Sequence, residues 1–251
     1  MYNRRILSFF FMAISVTTLV FTSCGGRGGA SSAKSAADPQ TDQQQDTRTA
    51  ILTEELPTTS DFPKVNGNVV KAVSYKDKTG DNLILLTETE IVSNAKPDVD
   101  YPLFPPRSKE LFAYRFLMRP GGNTYEQAWR ITDFVRECDL YEMYAAFVED
   151  AFRITDLNND GVAEIWVVYM LTCRGDITPR TMKIIMYEGG KKYAVRGEAL
   201  SMNQYSEDEF EYIGGGYTLD EAFNAAPECK DFAVDLWETF RKPKNFRKTD
   251  E

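Results

Sequence analysis

The chain has 251 residues, with 29 basic and 38 acidic side chains and no histidine. The missing histidine excludes Ser-His-Asp and Cys-His catalysis and every histidine-ligated metal centre. The net charge of -9 argues against nucleic acid as a partner, because binding to a phosphate backbone needs clustered Lys and Arg. Hydrophobic residues make up 43% of the chain, which is enough for a sizeable core.

The amino terminus has the layout of a secretory signal peptide. Arg4 and Arg5 precede an apolar run over 6–21, which is shorter than the roughly 20 residues of a membrane-spanning helix. Small residues then lead into Cys24, which two glycines follow, and this arrangement resembles the lipobox of bacterial lipoproteins. The resemblance implies removal of residues 1–23 and acylation of Cys24 with fatty acids such as palmitate. We therefore expect a lipid anchor in a membrane of the bacterial cell envelope, favouring the outer membrane, on its periplasmic or surface face. The alternative is an ordinary signal peptide in which the cysteine is coincidental.

Composition divides the remaining chain into a tether, a domain and a tail. Residues 24–61 are rich in Gly, Ser, Ala, Gln, Asp and Thr, and they contain no aromatic residue. Such a segment buries too little apolar surface to offset the entropy lost on ordering, so we expect a flexible tether. A single globular domain is predicted over 62–245, followed by a short tail over 246–251.

Hairpins dominate the predicted domain. Short runs of β-branched and aromatic residues occur in pairs, and turn residues such as Gly189-Gly190 separate the two members of each pair. The predicted hairpins join 69–74 to 83–87, 111–118 to 129–135, and 182–187 to 193–196. A further strand pair is predicted over 146–155 and 165–171. The second member of that pair is apolar throughout, which is typical of a central strand covered on both faces.

The last part of the chain changes to the period of a helix. Apolar residues recur at helical spacing from Cys229 to Phe240, and Pro227 suits the first turn. A shorter helix is predicted to begin at Thr218, where the sequence has the form of a capping box. The sequence therefore predicts an α+β fold, mainly antiparallel β: a meander of hairpins forms a curved sheet, and the carboxyl-terminal amphipathic helix covers it.

An acidic loop precedes the apolar strand and has the spacing of a calcium site. The pattern D-x-N-x-D-G-x-x-E comprises Asp156, Asn158, Asp160, Gly161 and Glu164. Oxygen ligands on alternate residues converge on one point, the glycine allows a sharp bend, and the carbonyl of Val162 would supply a further ligand. Hard oxygen donors without histidine or cysteine favour Ca²⁺ over transition metals.

The loop differs from an EF-hand, whose twelfth position is a bidentate glutamate, because Val167 stands there. It is similar to the short calcium loops between strands of FG-GAP repeats, where the last carboxylate comes at the place that Glu164 occupies. The alternative is a metal-free turn whose Asp and Asn side chains bond the loop's own backbone amides. Repulsion among three carboxylates in one loop favours the calcium interpretation.

Three cysteines follow Cys24. Cys138 and Cys173 close two predicted strands with one strand running the other way between them, so both would reach the same end of the sheet. An exported compartment permits oxidation, and we predict a disulfide between them. The alternative is two free thiols. Cys229 lies on the apolar stripe of the last helix and is predicted to be a buried small hydrophobe.

In a chain without histidine, the candidate catalysts are carboxylates, lysine, tyrosine or a bound metal. Asp133 is in phase with Trp129 and Ile131 and is the best candidate for an inward-facing acid. Glu149 and Asp150 are neighbours on a predicted strand and would face opposite ways. Glycoside hydrolysis needs two carboxyls that face one bond. Whether the chain is an enzyme stays open, with a non-catalytic role favoured.

A longer resemblance bears on function. The stretch 154–166, continuing through 173–176 to 182–188, resembles a family of exported bacterial proteins labelled as surface polysaccharide biosynthesis proteins, over about residues 125–200. The resemblance implies a role in envelope polysaccharide and supplies no catalytic residues. We predict a membrane-anchored lipoprotein whose calcium-stabilised β domain binds or helps assemble a surface polysaccharide, or binds an envelope protein. The alternative is a carboxylate-dependent glycan hydrolase at the same location.

Overall fold

The computed structural model describes residues 51–60, 62–207 and 209–243, all within one compact unit, Gln45–Glu251. The predicted signal peptide, Cys24, most of the tether and the tail lie outside the described residues. The strands are β1 (Thr53–Leu56), β2 (Asn68–Asp77), β3 (Gly80–Glu88), β4 (Val92–Ser93), β5 (Arg107–Met118), β6 (Glu126–Cys138), β7 (Glu142–Phe147), β8 (Arg153–Thr155), β9 (Glu164–Arg174), β10 (Thr181–Glu188), β11 (Lys191–Glu198), β12 (Leu200–Gln204), β13 (Phe210–Gly214) and β14 (Tyr217–Leu219). A 3₁₀ helix spans Glu221–Ala225, and helix α1 spans Pro227–Phe240.

The fold class is confirmed: the domain is mostly antiparallel β, with one carboxyl-terminal α-helix. The strands divide between two six-stranded sheets. The first sheet has the order β1-β2-β3-β5-β4, with β6 also paired to β5. The second sheet has the order β14-β11-β10-β9-β7, with β8 also paired to β9, and β12 and β13 form a separate ribbon. The curved meander is thus folded into two layers of strands.

All three predicted hairpins are present, as β2–β3, β5–β6 and β10–β11. The strand predicted over 146–155 is interrupted, because a turn that includes Asp150 at φ 57° separates β7 from β8. The helix predicted at Thr218 is absent, since this residue belongs to β14 and pairs with Arg196 of β11. The side chain of Asp220 makes no capping bond to the following 3₁₀ helix, and its carboxylate accepts a hydrogen bond from Arg196 instead.

Strand β9 contributes to two separate cores. Ile165 and Val167 pack into the core that lies between the two sheets, together with Ile84 and Ile131 of the first sheet. The intervening Trp166 faces the other way, into a core formed with the helix. The latter core also contains Tyr193, Phe223, Leu236 and Trp237. The prediction that this strand is covered on both faces is confirmed.

Strand β1 lies inside the segment for which composition predicts a tether. It pairs antiparallel with β2, with Thr53 opposite Tyr75 and Leu56 opposite Ala72. Ile51 packs against the core between the sheets, and Leu56 packs against apolar residues on the outer face of the first sheet. The ordered domain therefore begins before residue 62, because an edge strand takes its hydrogen bonds from its neighbour even where its own sequence is polar.

The disulfide between Cys138 and Cys173 is confirmed, with their Cα atoms 5.6 Å apart. Cys138 ends β6 of the first sheet, and Cys173 lies near the end of β9 of the second sheet. The bond therefore joins the two sheets rather than two strands of one sheet. Cys229 is a free, buried thiol in the helix-side core, as predicted. Burial raises the pKa of its thiol to about 12, so it stays protonated and unreactive at neutral pH.

Candidate functional site

The acidic loop connects β8 to β9 and lies against the β2–β3 hairpin. The amide of Lys78 donates to the carbonyl of Gly161 at 2.9 Å, and the Lys78 ammonium donates to the carbonyl of Asp160. The amide of Ala163 donates to Oδ2 of Asp77 at 3.1 Å. Gly161 has a φ of 79°, which the predicted sharp bend requires and which a side chain would disfavour. The first sheet therefore stabilises, through these hydrogen bonds, a loop that connects two strands of the second sheet.

Within the loop, side chains bond to backbone amides. The backbone amide of Gly161 donates to Oδ2 of Asp156 at 3.0 Å, and the backbone amide of Asp160 donates to Oδ1 of Asn158 at 3.0 Å. Val162 donates to Oδ1 of Asp160 at 2.7 Å. These are the bonds expected of the metal-free alternative. Each occupies one oxygen of a predicted calcium ligand and fixes the path of the backbone.

Glu164 is fully buried at the start of β9. Its carboxylate accepts hydrogen bonds from the hydroxyl of Thr155 at 2.7 Å and from the amide of Leu157 at 2.9 Å. Burial raises the pKa of Glu164, and the nearby charges of Glu188 and Asp156 raise it further, against the opposing effect of the hydrogen bonds. Burial among other carboxylates therefore outweighs the stabilisation that these hydrogen bonds give to the charged form of Glu164.

Glu188 belongs to this cluster and was not predicted from the sequence. It lies directly opposite Glu164 in the pairing of β9 with β10, and like charges in that relation destabilise a sheet. Its carboxylate accepts hydrogen bonds from Asn158 at 2.6 Å and from the hydroxyl of Tyr193 at 3.0 Å. The signal available in the sequence is its position immediately before the Gly189-Gly190 turn, which sets the register of the hairpin.

Asp156 is the predicted ligand whose surroundings best suit a hard cation. Asp156 is buried, and its Oδ1 has no hydrogen-bond partner in the part of the chain that the structure describes. A buried oxygen without a partner is costly, and a cation would satisfy it. In the same part of the chain, no three Asp, Glu or Cys side chains are gathered as a closed metal centre requires. The expectation of calcium therefore rests on Asp156; Glu164 is a further predicted ligand, and Glu188 adds a neighbouring charge.

A groove is the second feature that suggests function. It has a volume of about 840 Å³, within the range of ligand sites, and lies between β7, the start of β12 and the end of α1. Three aromatic rings and three guanidinium groups are among the side chains that line it: Tyr144, Phe147, Phe240, Arg174, Arg180 and Arg241. Sequence reasoning did not find this groove, because its walls come from segments that are distant in the chain.

One glutamate holds two of these arginines. Glu142 accepts hydrogen bonds from Nε of Arg174 at 2.5 Å and from Nε of Arg180 at 2.8 Å. Burial alone would raise the pKa of Glu142, but the hydrogen bonds and charges of the two arginines outweigh burial and hold this pKa below its usual value. The guanidinium of Arg180 also lies over the ring of Tyr144, 4.1 Å from its centroid. These contacts hold Arg174 and Arg180 in place. Together with Arg241 and Lys242, they form the basic wall of the groove.

Asp133 lies apart from the other two candidate acids. Asp133 does face inward, as predicted, where Oδ2 accepts hydrogen bonds from Lys183 at 2.5 Å and from the hydroxyl of Tyr169 at 2.9 Å. It lies between the sheets, away from the side chains that line the groove. Glu149 and Asp150 line the groove but are consecutive residues of one turn. The prediction that they lie on a strand and face opposite ways is therefore wrong, because both belong to a turn at one groove.

Comparisons of the chain with protein families, curated proteins and solved structures find no match. In the ranges that the structure describes, no helix combines the length and hydropathy needed to cross a membrane. The lipobox and polysaccharide resemblances therefore stay predictions, and the loop and the groove are the structural features that bear on function.

Proposed function

We propose that this protein is a non-catalytic, lipid-anchored lipoprotein of the bacterial cell envelope, and that its β domain binds a surface polysaccharide in the groove. The groove carries the proposal, because it combines aromatic faces with fixed polar groups, as ligand sites do. The lipobox at Cys24 supports the location, and the polysaccharide resemblance supports the class of ligand. The carboxylate-dependent hydrolase stays the alternative, because Glu149 and Asp150 both line the groove.

A glycan array with the purified protein tests this proposal. We expect binding to at least one envelope-type glycan, and roughly fivefold weaker binding after Tyr144→Ala, because a ring that stacks against a ligand contributes on the order of 1 kcal/mol. Tyr205→Ala is the matched control, since Tyr205 is exposed and does not line the groove. Binding to no glycan, or equal binding by the Tyr144 variant, would overturn the proposal and direct attention to a protein partner.

Calcium has a structural role in the proposal. Its ligands would be Asp156, Asn158, Asp160, the carbonyl of Val162, and Glu164. The ion would supply positive charge to a loop rich in carboxylates and a partner for the buried Oδ1 of Asp156. The chain's own contribution is to hold these oxygens on a backbone that Gly161 bends and that Asp77 anchors through Ala163.

Calcium should raise the melting temperature of the protein. We expect half-saturation at roughly 10⁻⁴ to 10⁻³ M, as in extracellular calcium modules, and loss of the response in Asp156→Asn. Asp235→Asn is the control, because Asp235 is an exposed acid on α1 far from the loop in sequence. Thermal unfolding at increasing calcium concentration measures the effect. A melting temperature that does not change up to several millimolar calcium would contradict the metal site and favour the metal-free turn.

A further inference from the structure

We infer that the groove selects acidic glycans, such as those that contain uronic acids, and that Arg174 and Arg180, held in place by Glu142, bind their carboxylates. This inference rests on the proposed function of the groove and names the chemistry of its ligand. The arginines would give the selectivity for acidic sugars, whereas the aromatic rings would contact acidic and neutral sugars alike.

The side chains that line the groove are more basic than the chain as a whole. The basic residues that line it are Arg174, Arg180, Arg241 and Lys242, and the acidic ones are Glu149 and Asp150. The chain as a whole has a net charge of -9. Glu142 and Glu238 bind arginines of this wall but do not themselves line the groove. With these two glutamates counted, four basic and four acidic groups balance at the groove, so the exposed guanidinium donors orient an anionic ligand without a net positive charge around them.

Each arginine of the pair keeps one hydrogen-bond donor group for a ligand. Arg174 donates through Nε to Glu142 and through Nη1 to the carbonyl of Thr178, and Arg180 donates through Nε and Nη2 to Glu142. Nη2 of Arg174 and Nη1 of Arg180 have no hydrogen-bond partner among the described residues, and neither is shut off from solvent. Each arginine can therefore give a ligand one charge-assisted hydrogen bond, which is stronger to a carboxylate than to the hydroxyl of a neutral sugar.

Glu142 is a positioning residue in this arrangement. It lies opposite Arg174 in the pairing of β7 with β9, and Met143 beside it lies opposite Cys173. The disulfide therefore fixes the strand position from which Arg174 projects. Arg180 is held twice, by Glu142 and by the ring of Tyr144. Side chains ordered in advance lose less rotamer freedom when a ligand binds, which strengthens the binding.

Binding of the full chain to three soluble probes tests the inference: polygalacturonate, neutral dextran and dextran sulfate. We expect polygalacturonate to bind more tightly than dextran, and Arg180→Met to weaken that binding at least tenfold. Arg136→Met is the control, because Arg136 lies on β6, outside the groove, and its side chain is 54% exposed. Dextran sulfate separates carboxylate recognition from general attraction of polyanions, since we expect it to bind more weakly than polygalacturonate.

The variant Glu142→Gln distinguishes positioning from simple charge. Loss of a negative charge beside two arginines would strengthen anion binding if charge alone mattered. We expect binding of polygalacturonate to weaken instead, by roughly threefold to tenfold, because the arginines lose their fixed position. The melting temperature of each variant shows whether the fold is intact. Tighter binding by a folded Glu142→Gln variant would overturn the role of Glu142.

The outcomes also distinguish failure of the acidic selectivity from failure of the proposed glycan binding. If dextran binds as well as polygalacturonate and Arg180→Met has no effect, acidic selectivity is overturned while glycan binding stands. If dextran sulfate binds best and all variants behave alike, the groove attracts polyanions without recognising a carboxylate, and the inference is again overturned. If no probe or arrayed glycan binds, the proposed function and the inference both fail.

Discussion

Replacement of both Cys138 and Cys173 by serine is expected to lower the free energy of unfolding by about 3.5 to 4 kcal/mol. The disulfide closes a loop with a sequence separation of 35 residues, and its loss frees the unfolded chain to adopt many more conformations. In the folded state the same bond joins β6 to β9 and hence one sheet to the other. Urea unfolding of the oxidised protein and of the double variant measures the difference.

A reductant provides the control for the disulfide. It should destabilise the wild-type protein by nearly the same amount and leave the serine variant unchanged. Peptide mapping after alkylation in denaturant should find Cys229 labelled and the bonded pair protected. Labelling of Cys138 and Cys173 without a reductant, or equal stability with and without it, would show that the bond is absent or unimportant.

Replacement of Arg115 by methionine is expected to lower the free energy of unfolding by about 3 to 5 kcal/mol, because breaking a buried ion pair leaves a charge without a partner. The Arg115 side chain is 2% exposed, and its Nη2 lies 3.8 Å from Oδ2 of Asp77, whose side chain is fully buried. The other donors of Arg115 reach Asn82 at 2.9 Å and the carbonyl of Gly189 at 3.0 Å. The arginine thus links a strand of the first sheet to a turn of the second.

A double-mutant cycle tests this assignment. The double variant Arg115→Met and Asp77→Asn should lose less free energy of unfolding than the sum of the losses in the two single variants, since no buried charge is then left without a partner. Arg136→Met is the control, because its exposed pair with Glu110 contributes about 0 to 1 kcal/mol. Strictly additive effects, or a loss from Arg115→Met no larger than that of the control, would contradict the buried pair.

Features that depend on neighbouring residues were predictable from the sequence. The Gly189-Gly190 turn and the flanking apolar residues define the β10–β11 hairpin within a few positions. The apolar stripe after Pro227 defines α1 in the same way. The acidic loop could be named because all its predicted ligands lie within nine residues of one another. In each case local geometry alone brings the side chains together.

Features that depend on pairing between distant segments were not predictable. Glu188 joins the acidic cluster only through its register opposite Glu164. The groove depends on β7, β12 and the end of α1, which no local pattern relates to one another. Strand β1 was missed because its polar sequence resembles the predicted tether, whereas β2 supplies its hydrogen bonds. The division into two sheets also follows from long-range pairing, which turn chemistry does not determine.

The disulfide also determines how the chain is connected. The segment between Cys138 and Cys173 forms a covalent ring that contains β7, β8 and the whole acidic loop. A single protease cut anywhere in that ring would leave the two fragments joined, and they would separate on a denaturing gel only after reduction. The domain can therefore suffer cleavage at its acidic loop and remain one covalent molecule.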